Sequence, residues 1–118
     1  MFKTDLKSRC YKFSLANIAL IDSLPNKRVV WIISDQLLRS AMSIGANLIE
    51  GRAASSRLEY KKFYEIALKS ANETKYWLSL LKDAKYVESS KIDPLIQEVT
   101  EIANMLATGV IKLKSKNF

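Results

Sequence analysis

Apolar residues recur at spacings of three and four from Leu6 to Leu113, and only three glycines and two prolines interrupt the chain. That period matches an α-helix and is wrong for a strand, so it restricts the chain to helices that each bury one stripe. Breaks fall near Pro25, Gly51 and Tyr86–Ser90. Four helices joined by short loops are expected, in an all-α, antiparallel up-down four-helix bundle, with residues 1–118 as a single domain.

The first helix is expected from about Asp5 to Leu24, with Thr4 as N-cap and Pro25 ending it. Its ladder is Leu6, Cys10, Phe13, Leu20 and Leu24, and Asn17 takes the place of a further apolar residue. The second should run from Lys27 to Glu50, with Gly51 as C-cap. The third follows Ser55 or Ser56 as N-cap, with Glu59 completing a capping box, and reaches about Asp83. The fourth starts near Lys91 with Pro94 in its first turn, and its ladder is Leu95, Val99, Ile102, Leu106, Val110 and Leu113.

The second helix carries more than one stripe. Val30, Ile33, Leu37, Ala41, Ile44 and Leu48 form one apolar row; Trp31, Leu38, Met42 and Ile49 form another about a third of a turn away. On the third helix, Ile66, Trp77 and Leu80 form an apolar edge. Either these rows widen the core, or they form an oligomer interface. A polar row of Gln36, Ser43, Asn47 and Glu50 flanks the first stripe, and Arg39 lies near it. With Glu59 and Glu73 of the third helix these residues form either a structural polar network fixing helix register or a small pocket. If buried, Glu73 is expected to cost on the order of 3–5 kcal/mol when replaced by Ala.

Several chemistries lose their usual residues. The chain has no histidine, which removes His-based acid–base catalysis and most zinc sites. Cys10 is the only cysteine and lies on an apolar ladder, so a core role and a reduced, cytoplasmic setting are expected. Carboxylate-only metal binding by Glu50, Glu59 and Glu73 is less simply motivated than a polar network, and Gly45 and Gly51 do not form a phosphate loop. No catalytic residue, metal or cofactor is expected. The longest apolar run, Val29–Ile33, is far too short to span a membrane, and no secretory leader is expected at the N-terminus.

The formal net charge is +7, and residues 51–83 hold seven basic and four acidic side chains. Arg52, Arg57, Lys61, Lys62, Lys69 and Lys75 are the candidate nucleic-acid contacts; Lys112, Lys114 and Lys116 make a second cluster, expected to fray. The alternative is a solvated helix face whose lysines are offset by acids such as Glu65. No base-reading motif is present, so binding would be salt-sensitive and weakly sequence-specific.

The pattern Gln36-Leu37-x-Arg39-x-Ala41-x-Ser43-Ile44-x-x-Asn47-x-x-Glu50-Gly51, followed by Glu59-x-x-x-Phe63-x-x-Ile66-Ala67-x-x-Ser70-x-x-Glu73, resembles the bacterial four-helix-bundle proteins encoded by intervening sequences in 23S rRNA genes. The opening Asp5-Leu6-Lys7 is similar too, and the likeness covers most of the chain. The family often has Pro at the place of Gly45 and Gly at that of Lys69. The resemblance implies a ring-like homopentamer. It also implies kinship with the accessory variability determinant proteins of diversity-generating retroelements, basic rings that bind nucleic acid and associate with a reverse transcriptase. A homo-oligomer that binds nucleic acid, with a possible protein partner and no membrane, is therefore expected; a protein-interaction scaffold is the alternative.

Overall fold

The computed structural model describes residues 5–114. They form four helices and no strand: α1 (Leu6–Asp22), α2 (Arg28–Arg52), α3 (Arg57–Asp83) and α4 (Ser89–Lys114). Each helix packs on its neighbours in chain order, α1 closes on α4, and the most extensive association is α2 on α3. This is the expected all-α, up-down four-helix bundle. No helix of the described residues is long and apolar enough to cross a membrane.

Local chemistry sets the helix ends. Asp5 caps α1 by accepting from the Ser8 amide at 2.8 Å, replacing the expected Thr4, which lies outside the described residues. The carboxylate there satisfies one of the free first-turn amides. Ser56 caps α3, and Glu59 reaches back to the Ser55 amide at 3.0 Å, so the capping box resolves in favour of Ser56. Helix α1 stops at Asp22, two residues before Leu24, where the Ser23 hydroxyl and amide both turn back to the Leu20 carbonyl.

Gly51 departs from its expected role. Helix α2 runs through it to Arg52, with Ala53 as C-cap, and no glycine has a positive φ. Gly51 is buried, and a Cβ there would come within 3.2 Å of the Tyr60 ring and 3.3 Å of Phe63 Cβ. It gives α3 room to cross instead of ending α2. Helix α4 begins at Ser89, two residues early, because the Glu88 carbonyl already accepts from Lys91 and Ile92; Pro94 then falls inside the helix.

The ladders point inward as the periodicity requires. Cys10, Leu37, Ala41, Ile44, Ala67, Ala71, Leu78, Leu81, Val99, Ile102 and Leu106 are fully excluded from solvent, with Asn17 and Thr74 among them. Burial pushes the Cys10 thiol up to about 12, so it stays protonated at neutral pH. Helix α1 is clasped to α4 by Arg9, whose guanidinium meets Glu98 at 2.6 and 2.9 Å and Glu101 at 2.9 Å. Hydrogen bonds from Gln97 and Arg9 hold the Glu101 carboxyl below its ordinary range.

Helix α3 ends in a Schellman turn: Lys85 N donates to the Lys82 carbonyl and Tyr86 N to that of Leu81. Lys85 holds φ 64° in it, the left-handed region where glycine is at ease. Lys85→Gly is expected to stabilise the protein by about 1 kcal/mol, read as a higher urea midpoint at unchanged slope.

Candidate nucleic-acid interface

Antiparallel threading decides which charges meet. The start of α1, the end of α2, the start of α3 and the end of α4 share one end of the bundle. That end therefore receives Lys7, Arg52, Arg57, Lys61, Lys62, Lys112 and Lys114. Arg52, Lys62, Lys112 and Lys114 are exposed; Arg57 and Lys61 are half-buried. Arg57 donates to the Lys112 carbonyl at 3.2 Å, tying α3 to the last turns of α4. Lys112 and Lys114 belong to a formed helix, contrary to the expected fraying; Lys116 lies outside the described residues.

The acids at this end are mostly occupied. Asp5 and Glu59 cap helices, and Glu65 stands 3.7 Å from Lys61. Lys62 and Lys69 share a shallow hollow of about 520 Å³ with Glu65 and with Lys114 of α4. Lys75 does not join them: it lies eighteen residues along α3 from Arg57, a rise of about 27 Å. The six sequence-chosen cations thus divide: Arg52, Arg57, Lys61 and Lys62 lie at one end, Lys69 near the middle of α3 reaches them through the hollow it shares with Lys62 and Lys114, and Lys75 stands apart, while Lys7, Lys112 and Lys114 complete the group. Sequence spacing within one helix cannot reveal cations that other helices deliver.

Two tyrosines sit among these charges. Tyr60 and Tyr64 meet edge to face, centroids 5.3 Å apart. The Tyr64 ring lies against Gly109, where a Cβ would stand 2.3 Å from Cε2. Burial and the neighbouring Tyr60 raise the Tyr64 hydroxyl's pKa, opposed by Arg52.

The polar row of α2 meets α3 as a seam. The Thr74 hydroxyl contacts Ser40 at 2.8 Å, Ser43 meets Ser70 at 2.9 Å, and Asn47 donates to the Ser43 carbonyl at 2.8 Å and its hydroxyl at 2.9 Å. Two hydroxyl protons serve three contacts here: Thr74 donates to the Ser70 carbonyl at 2.7 Å, and Ser40 donates either to the Thr74 oxygen or to the Leu37 carbonyl at 3.1 Å. At the rim, Arg39 donates to Glu73 at 2.5 Å and to Gln36 at 2.9 Å. Glu50 is exposed and Glu59 serves the α3 cap, so neither carboxylate enters the seam. Ser40, Ser70 and Thr74 are its buried members, and none of the three was assigned to it from sequence.

The apolar rows occupy two different faces. Trp31, Met42 and Ile49 are exposed on the outer side of α2, with Leu38 half-buried. Met42 and Ile49 face Tyr11, Leu15 and Ile18 of α1 across a groove of about 620 Å³, floored by Gly45 and Ala46. The edge on α3 is less open: Ile66 and Trp77 are half-buried, Leu80 is exposed, and the Trp77 ring packs edge to face on Tyr76. Among the described residues, no cluster of three or more His, Cys, Asp or Glu side chains is placed to hold a metal ion.

Glu73 is only partly buried, 37% exposed against 59% for Arg39. Glu73→Ala is therefore expected to cost less than about 1 kcal/mol, well below the loss for a buried charge partner. Ser70→Leu, which forces bulk between α2 and α3, should cost about 1–3 kcal/mol. Thermal melts of the two variants give the order directly.

A family model described as 23S rRNA-intervening sequence protein matches residues 3–108. The chain is similar to a protein of unknown function from the S23 ribosomal protein family of Bacteroides thetaiotaomicron, solved at 1.70 Å, with 35% identity and a TM-score of 0.84 over 90% of this chain and 98% of that one. No curated protein matches.

Proposed function

The chain belongs to the 23S rRNA-intervening sequence protein family, and from that premise we propose that it is a non-enzymatic, self-assembling protein that binds the backbone of nucleic acid through the basic end of its bundle. One observation carries this most directly: the starts of α1 and α3 and the ends of α2 and α4 deliver their cations to one end, where Asp5 and Glu59 are held in caps, Glu65 faces a lysine and only Glu50 stands exposed without such a role. Such a concentration of charge binds polyanions by releasing their counterions. Arg52, Arg57, Lys61, Lys62 and Lys69 form the footprint, with Lys7, Lys112 and Lys114 beside them; Lys75 lies outside it. The lack of any histidine and the protonated, buried thiol support a binding role over a catalytic one.

Affinity for a 20–30-mer RNA or duplex is expected to fall linearly with the logarithm of salt concentration. Lys62→Gln and Lys69→Gln should each reduce the slope by about one unit. Binding that ignores salt, or none at low salt, removes this function.

Self-assembly rests on the two apolar faces. The α1–α2 groove and the Ile66–Trp77–Leu80 edge are different surfaces, so pairing one with the other makes a heterologous contact, which closes into a ring when the rotation between copies closes and runs on as a filament when it does not. This supports a homo-oligomer of the pentameric kind that the family resemblance implies. Each ring would present the basic end several times, raising avidity without new contacts. Light scattering should show an oligomer, and Met42→Glu with Ile49→Glu should reduce it to a monomer. A wild-type monomer in dilute buffer, with Trp31 and Trp77 both quenched as solvent-exposed residues, contradicts assembly.

A second function, a scaffold that binds another protein, draws on the same groove, whose apolar floor and walls need no nucleic acid. A captured partner that depends on Met42 and Ile49 but not on the lysines would favour it.

A further inference from the structure

Helix α1 has 17 residues against 27 in α3 and 26 in α4. At about 1.5 Å per residue it falls short of both by more than 10 Å. Near its first turn, a hollow of about 310 Å³ opens between α1, α3 and α4, lined by Leu6, Tyr60, Tyr64, Thr108, Gly109 and Lys112. Its volume sits at the lower limit of small-ligand sites, roughly 300 Å³. The absence of a side chain at Gly109 is what lets the Tyr64 ring settle there.

Charge surrounds this aromatic pair on both sides. Lys112 lines the hollow itself. Behind the tyrosines, a small crevice shared by the same two rings is lined by Lys7 and Arg52. The Thr108 hydroxyl donates to the Asn104 carbonyl at 3.0 Å, which leaves its oxygen free to accept. Cation, aromatic pair, cation is the order in which an unpaired strand presents phosphate, base, phosphate. A duplex presents phosphates in the same way but keeps its bases stacked inside.

We propose that the Tyr60–Tyr64 hollow receives one unpaired nucleobase, stacked on the Tyr60 ring of this edge-to-face pair, while its flanking phosphates lie against Lys112 on one side and Arg52 and Lys7 on the other. This rests on the nucleic-acid function proposed above and adds to it a preference for single strands. The hollow reads no sequence: every base has a face that stacks, and the lining offers little hydrogen-bonding pattern.

The test compares an unstructured 20-mer RNA with the duplex of the same sequence, using the full-length protein at low salt. Tyr60→Leu keeps apolar bulk but removes the stacking face; it should weaken single-strand binding on the order of tenfold and leave duplex binding within about twofold. Tyr60→Phe, which keeps the ring, should behave as wild type. Unchanged duplex binding also shows that the variant is folded. If Tyr60→Leu binds both nucleic acids as wild type does, or weakens both equally, the hollow is not a base site, though backbone binding stands. If wild-type protein binds neither, the broader function fails first.

Discussion

Helix α2 can lie as close to α3 as it does because the two present small side chains to each other. Ser40 faces Thr74, Ser43 faces Ser70, and Gly51 offers no side chain where Tyr60 and Phe63 cross it. Close approach brings hydroxyl groups out of water, and buried hydroxyls must find partners. They do so across the contact, so the hydrogen bonds that the approach demands also fix its register. A slip of one turn would break Ser43–Ser70 and Thr74–Ser40 together. The rest follows from that register: Gly51 under Tyr60 and Phe63, Arg39 beside Glu73, and α4 laid along the other side of α3.

The second constraint is the short first helix. Helix α1 binds through Cys10 and Phe13 in the core and through the Arg9 clasp to Glu98 and Glu101. At Gly45 a Cβ would stand 3.3 Å from Cys10 Cβ, so the missing side chain lets α1 pack tightly on α2 there. Being narrow and short, α1 leaves two openings. One is the apolar groove along α2, and the other is the tyrosine hollow at the basic end. The surfaces available for partners are thus set by what the smallest helix fails to cover.

Much of this fold is written in local chemistry. Periodicity placed the four helices because burial of a stripe is a local demand repeated every turn. Ser56 and Glu59 announced the start of α3, since a capping box is complete within four residues. Gly51 misled for a physical reason: glycine both ends helices and lets helices touch, and only the neighbouring chain tells which applies. Lys85 gave no signal, because a lysine at a left-handed position betrays nothing until the turn is closed. The Arg9 clasp was illegible as well, its partner lying 89 residues away.

The amino-acid sequence alone determined the helices, their buried stripes, the excess of positive charge and the family likeness, because each is a property of near neighbours or of plain composition. Tertiary structure alone decided which cations of different helices share a surface, so that Lys7 and Lys112 join those of α3, and that two tyrosines lie between charges. Those facts depend on the order in which helices reverse direction and on how far each one reaches, and neither quantity is held by any single stretch of the chain.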